Sequence, residues 1–254
     1  MMKQLYIKSY AVCTPEEAAL AEFQIPSVDI DKTLIPAGMR RRTSLTTRMA
    51  ITAASLACEK ASVERQEVSS IFASLGGEIQ ITDALCRLLP DDNELLSPTQ
   101  FHNSVHNTTA GYWSILSKCQ AATTAIAAAD DTFAMGLIEA YSQLQQESGD
   151  RLLVCYDELW PQYLAAPIGK IALACAFILS SSAEQAIASI SVPNNIQGDT
   201  SLSNEAWVDL AQSAPAAVAI PLLQALQAEQ SKSVALNIQQ PIWHADVTTI
   251  KSPE

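Results

Sequence analysis

An α/β layered fold is predicted by three features of the sequence. Short apolar runs such as "RLLVCYD" (151–157) have the continuous hydrophobicity of buried strands. Between them lie longer segments whose apolar residues recur at helical spacing. The two kinds of segment alternate along the chain instead of being segregated. With 254 residues, 48% of them hydrophobic and 17% charged, the chain can bury a sizeable core and is not a disordered polymer.

Taken in order, "LYIKSYAV" (5–12) predicts a first strand, and Pro15, Pro26 and Pro36 mark a loop up to about Gly38. Leu45, Met49, Thr52 and Leu56 share one face of an amphipathic helix from Thr43 to about Ala61. "SSIFASL" (69–75) is a short buried strand closed by Gly76 and Gly77. Residues 78–89 form a helix with Ile81, Leu85 and Leu88 on one stripe, ended by Pro90. A helix over roughly 104–118 follows, then a small-residue strand within "AATTAIAAA" (121–129). Phe133, Leu137, Tyr141 and Leu144 stripe the next helix, which leads into the strand 151–157. Further on, "KIALACAFILS" and "AIASISV" suggest two adjacent strands. "SAPAAVAIPLLQALQAEQ" suggests a helix with Pro221 in its interior, and "SVALNIQQ" a late strand. There is no internal repeat, and residues 1–254 are read as one domain.

The charge balance narrows the function classes. The formal net charge is -12, and such a surface repels phosphate backbones, so no nucleic-acid partner is expected. The longest apolar run of interest, "IALACAFIL" (171–179), is too short for a membrane-crossing helix. The N-terminus lacks the apolar stretch of a secretory signal. The six cysteines are scattered without a CxxC pair. A reducing, cytoplasmic compartment is the expectation, with no cofactor.

Several residues invite chemistry. His102 and His106 stand at i, i+4, a spacing that sets two imidazoles on one helix face. A metal site needs more ligands, HExxH is absent, and His244 lies in a distant segment, so no metal is expected. Ser104 has no G-x-S-x-G elbow around it. Asp130 and Asp131, between an apolar strand and an apolar helix, are read as helix-capping carboxylates. Arg40, Arg41 and Arg42, with Arg48 nearby, form the one concentrated basic run. It is either a solvated surface or a contact for an acidic partner.

The segments "SVHNTTAGYWSI" (104–115) and "TTAIAAADDTFAMG" (123–136) resemble the β-ketoacyl synthases. The first is similar to the helix before the nucleophile turn, with Asn107, Ala110 and Gly111 in the recurring places. The second is similar to the strand–turn–helix "T-A-C-x-x-G/S", with Gly136 in register. "PAGMRRRTSLTTRMAITAA" (36–54) and "SSIFASLGGEIQITDALCRLL" (69–89) are similar to short, single-half members found in aryl polyene biosynthesis. The resemblance covers roughly residues 5–180; residues 184–254 carry no motif that places them.

This resemblance implies a thiolase-like layered fold, a truncated single-half ketosynthase with helices on a mixed five-stranded sheet. It also places Ala128 where the nucleophilic cysteine belongs. A methyl group cannot attack a carbonyl, and the two histidine loops of the second half are missing, so no catalytic residue is expected. The implied role is that of a chain-length-factor-like subunit. It would form a heterodimer with an active ketosynthase and meet acyl carrier protein through that partner. Its pairing strand would be about 122–128. Val105, His106, Asn107, Thr108, Thr109, Tyr112, Leu116 and Phe133 would lie at the acyl pocket or the interface. Two alternatives stay open: an active acyltransferase with another nucleophile, such as Cys119, and a homodimeric acyl-chain-binding protein.

Overall fold

The computed structural model describes residues 4–89, 95–161, 163, 171–195 and 204–250. Eight strands form one mixed sheet: β1 (Gln4–Cys13), β2 (Ser69–Ala73), β3 (Thr123–Ile126), β4 (Asp150–Asp157), β5 (Leu173–Ser180), β6 (Ala188–Ser191), β7 (Lys232–Ala235) and β8 (His244–Thr249). Their order across the sheet is β3-β2-β4-β5-β1-β6-β8-β7. β2 runs parallel to β3 and β4, and the other pairings are antiparallel.

The five-stranded expectation is therefore too small. The segment after residue 184, which no motif placed, supplies β6, β7 and β8 and extends the same sheet. The run 244–249 alternates buried and open positions over only six residues, too short a pattern to stand out as a strand in the sequence. β5 and β6, read as neighbours, are separated by β1, which pairs with both.

The helices are α1 (Ala18–Ala21), α2 (Ala37–Arg40), α3 (Leu45–Lys60), α4 (Ile79–Leu88), α5 (Pro98–Asn103), α6 (Thr108–Ser117), α7 (Thr132–Gln146), α8 (Glu205–Ser213) and α9 (Ile220–Gln227). The strands sort their side chains onto two faces with period two. Leu152, Val154 and Tyr156 of β4 join Phe72 and the small side chains of α3 (Ala50, Ala53, Ala54, Ala57), together with Trp113 of α6. Leu153 and Cys155 join Phe133 and Leu137 of α7, Phe177 of β5 and the apolar face of α9 on the other side. Because β5 is buried along its whole length, its sequence reads as an unbroken apolar run. Gly136 lets α7 sit down on the sheet: a Cβ there would meet Leu153 Cδ1 at 2.9 Å and Ala73 Cβ at 3.3 Å.

Local signals explain the helix ends. Ser44 caps α3 by accepting from the Thr47 N–H at 2.9 Å. Ser97 and Pro98 start α5. Pro221 occupies the first turn of α9, not an interior position, because the preceding Pro215–Ala219 forms a separate 3₁₀ turn. The helix read over 104–118 starts only at Thr108, as α6; Ser104–Asn107 is the turn that separates it from α5.

Candidate functional site at the C-terminal ends of the parallel strands

In α/β sheets, sites form at the carboxyl ends of parallel strands. Here β2, β3 and β4 bring three segments to that end: Ser74–Glu78, the turn 127–131, and Asp157–Trp160. α6 and the turn before it close over them.

The turn from β3 into α7 is held by short-range bonds. The Ala128 N–H donates to Thr132 Oγ1 at 3.0 Å, and that hydroxyl donates to the Ala129 carbonyl at 2.6 Å. Ala129 has φ 49°, the left-handed conformation of a sharp strand-to-helix bend. The side chains presented here are the methyls of Ala128 and Ala129 and the carboxylates of Asp130 and Asp131. The Thr132 hydroxyl is already committed as donor and acceptor. Asp131 stands at the N-cap of α7 but makes no capping bond, contrary to the capping role expected. Its Oδ1 instead accepts from Asn237 Nδ2 at 2.7 Å. Asn237, buried, also donates to the Gln239 and Pro241 carbonyls and accepts from the Trp243 N–H. The C-terminal segment thereby braces the turn.

Beside the turn lies a buried polar cluster. Asp157 Oδ1 accepts from Ser74 Oγ at 2.8 Å, the Leu75 N–H at 3.0 Å and the Gly76 N–H at 3.2 Å. The Gly77 N–H in turn donates to Ser74 Oγ at 2.7 Å. Glu78 Oε1 accepts from Thr47 Oγ1 of α3 at 2.6 Å and Thr109 Oγ1 of α6 at 3.2 Å. Glu158 Oε1 accepts from the Gln80 N–H at 3.2 Å. Asp157 Oδ2 and Glu78 Oε2 are buried without a hydrogen-bond partner.

Burial pushes the Asp157 carboxyl up to about 7 against the three donors, and the nearby Glu158 adds to the rise. Burial likewise raises Glu158. Three buried carboxyl groups meeting neutral donors define a structural knot that ties β2, β4, α3, α4 and α6 together. Neither Glu78 nor Asp157 was singled out in the sequence. The acidic pair 157–158 directly after a fully apolar strand was the available signal.

The expected site residues divide between locations. Val105 is 48% exposed, and Asn107 is exposed at the N-cap of α6. Thr108 and Thr109 are buried. Tyr112 packs with Ile35, Ile51 and Leu116 against α3, and its hydroxyl donates to Asn103 Oδ1 at 3.1 Å. Phe133 is fully buried on the opposite face of the sheet, 5.8 Å from Phe177 between ring centroids. It therefore belongs to the core and does not share a pocket with the α6 residues within this chain.

His106 lies in the α5–α6 turn, its Nε2 2.8 Å from the Ser74 carbonyl. Its ring lies against Gly77, where a Cβ would meet His106 Cδ2 at 3.1 Å. His102 is exposed at the end of α5. The two imidazoles thus share no helix face. Cys119 is buried and its thiol meets the Val68 carbonyl at 3.5 Å. It precedes β3, whereas the turn follows it. Among the described residues no group of three or more His, Cys, Asp or Glu side chains could hold a metal ion. No helix among them is long and apolar enough to cross a membrane.

The comparisons agree with this architecture. Residues 15–245 match the family model described as β-ketoacyl synthase, N-terminal domain. No curated protein matches the chain. Among solved structures it is similar to a ketosynthase (ApeO) in complex with its chain length factor (ApeC) from Xenorhabdus doucetiae. There the identity is 19%, the cover 96% of this chain and 99% of that one, and the TM-score 0.72. It is also similar to the ishigamide ketosynthase/chain length factor, at 12% identity, 98% and 100% cover and TM-score 0.71. A third similar structure is AntDE:AntF, a type II acyl-carrier protein in complex with its ketosynthase, at 10% identity, 98% and 100% cover and TM-score 0.73. At these identities the likeness establishes the fold, which is thiolase-like. Because the family model spans most of its length, the chain belongs to the β-ketoacyl synthase family by its N-terminal domain.

Proposed function

We propose that this chain is a non-catalytic, chain-length-factor-like subunit that pairs with an active β-ketoacyl synthase and shapes the pocket in which an acyl or polyene chain grows on acyl carrier protein. The observation that carries this reading is the β3–α7 turn. The bend is kept, yet it presents Ala128 and Ala129 in place of any thiol, hydroxyl or imidazole free to act. An alanine methyl has no lone pair with which to take up an acyl chain as a thioester, so on this reading the thiolate that the extender carbanion displaces in the Claisen condensation is a partner's cysteine.

A second feature supports pairing. β3 is one of the two edge strands of the sheet, its side chains at best half-buried. A strand edge left open is a template for another strand. Beside it, α6 leaves Ile115 62% exposed, and the preceding turn leaves Val105 48% exposed. Large apolar side chains in such positions suit a protein contact. On this reading Val105, Asn107 and Ile115 face the partner, while Thr108, Thr109, Tyr112 and Leu116 stiffen the wall behind them. Each methylene that the wall excludes from a growing chain changes selectivity by about 1–3 kcal/mol. Six free cysteines fit a reducing, cytoplasmic setting.

Co-expression of the chain with a candidate ketosynthase, followed by co-purification and a condensation assay, tests the proposal. The expected result is a one-to-one complex that extends acyl chains, while the chain alone is inert. Condensation by the isolated chain, or a stable homodimer indifferent to every ketosynthase, would overturn it.

A further inference from the structure

β3 and β7 are the two edge strands of the eight-stranded sheet. If the sheet were flat, seven spacings of about 4.8 Å would hold them about 34 Å apart. β3 has only four residues, hydrogen-bonded on one side to β2. Its side chains are exposed or half-buried, so little in the strand itself fixes its register against a further strand. The turn that follows is no better anchored by burial, since none of residues 127–131 is buried. Its backbone bonds, from the Asp131 N–H to the Ala128 carbonyl at 3.0 Å and from the Thr132 N–H to the Ala129 carbonyl at 3.2 Å, are internal. They shape the bend without fixing its place on the sheet.

That place is fixed from the opposite edge. Asp131 Oδ1 accepts from Asn237 Nδ2 at 2.7 Å, and Asn237, just beyond β7, is 1% exposed. The same nitrogen donates to the Gln239 carbonyl at 2.9 Å and the Pro241 carbonyl at 3.1 Å, and Asn237 Oδ1 accepts from the Trp243 N–H at 2.9 Å. The Leu236 N–H closes the loop onto the Trp243 carbonyl at 2.8 Å. Ile238 and Trp243 pack against the core shared by α7 and α9. The β7–β8 loop is thus a stiff, seated element, and the sheet wraps around α7 and α9 until that loop meets the β3–α7 turn. A partly buried amide–carboxylate bond is strong and directional.

We infer that Asn237 is a positioning residue for subunit pairing: through Asp131 the β7–β8 loop fixes the β3–α7 turn, and with it the line along which β3 offers its free edge to a partner strand. The pairing rests on the proposed function; the positioning of the turn does not. A turn whose side chains are methyls and carboxylates has no thiol to aim. An edge strand does have a geometric demand, since its N–H and C=O groups must meet a partner's at about 2.7–3.2 Å. Free movement of the turn would spread β3 over several alignments, and only the aligned fraction binds. By linkage, a partner seated on β3 also tightens the loop at the far edge.

The experiment follows amide hydrogen exchange in the isolated full chain and affinity for a ketosynthase, for native protein and three variants. Asp131→Ala removes the tie but leaves the bonds within the β7–β8 loop in place. Asp131→Asn keeps an acceptor oxygen for Asn237 without the charge. Ile178→Ala, a cavity in the core on the other face of the sheet, controls for general loss of stability. Expected for Asp131→Ala are at least about tenfold faster exchange over 126–132, with β4 unchanged, and at least about tenfold weaker pairing. Asp131→Asn and folded Ile178→Ala should pair as the native chain does, and ketosynthase bound to the native chain should slow exchange over 236–243. Native-like exchange or native-like pairing in Asp131→Ala overturns the inference. So does equal weakening by Asp131→Asn, which would assign the effect to charge at the start of α7, or by Ile178→Ala, which would assign it to stability. If the native chain captures no ketosynthase, the proposed function fails, and exchange in the isolated chain still decides whether Asn237 positions the turn.

Discussion

Replacing Asp157 by asparagine removes a titration without removing the bonds around it. The native carboxyl, 2% exposed, is pushed from 3.8 to about 7. Between those values the folded protein binds the proton that the unfolded chain has released. Stability therefore falls as pH rises through this window, and the loss is complete above the folded value. Three pKa units at 1.36 kcal/mol each come to about 4 kcal/mol. An asparagine side-chain oxygen still accepts from Ser74 Oγ and the Leu75 and Gly76 N–H groups, and it carries no charge at any pH.

The assay is urea unfolding followed by tryptophan fluorescence, for native and Asp157→Asn chains, from about pH 4 to pH 8. Groups that do not interact with Asp157 cancel in the difference, and the coupling to Glu158 is part of what the difference reads. The native curve is expected to drop below that of the variant by up to about 4 kcal/mol across the window, with the largest gap at the alkaline end. Parallel curves would refute the reasoning: the carboxylate would then be as well solvated or paired as in the unfolded chain.

Other substitutions probe the remaining links. Gly136→Val drives a side chain into Leu153 and Ala73 and is expected to cost about 2 kcal/mol in the same unfolding assay. Phe133→Ala empties a fully buried site beside Phe177 and should cost about 4 kcal/mol; a cost below about 1 kcal/mol would mean the ring faces a cavity instead of the core. Thr47→Ala leaves Glu78 Oε1 with the Thr109 donor alone, for an expected loss of about 1–2 kcal/mol by urea titration. Ile115→Glu, at an exposed position of α6, should leave stability within about 0.5 kcal/mol yet abolish co-purification with a ketosynthase; unchanged pairing would remove α6 from the interface.

Much of the fold was legible in the sequence because its signals are local. The continuous apolarity of 151–157 and 171–179 marks strands buried on both faces. The stripe from Phe133 to Leu144 marks α7, and Gly136 falls where the helix must approach the sheet. Other signals were too short or too mixed. The i, i+4 spacing of His102 and His106 suggested one helix face, but the turn at Ser104–Asn107 separates them. Asp130 and Asp131 have the look of caps, whereas Thr132 holds the turn and Asp131 turns to Asn237.

The sequence by itself determined that position 128 is an alanine, since side-chain identity needs no coordinates; that a thiol belongs there is what the resemblance to the ketosynthases implies. It also settled the type of most elements through the period of their apolar residues. Tertiary structure alone decided that β1 lies between β5 and β6, that Phe133 and Tyr112 lie across the sheet from one another, and that Glu78, Asp157 and Glu158 are buried together. Periodicity reports which side of its own element a residue faces. It carries no information on which distant segment will be there, and Asp131 meets a partner 106 positions away. Such contacts exist only once the two faces of the sheet have been covered and water has left the space between.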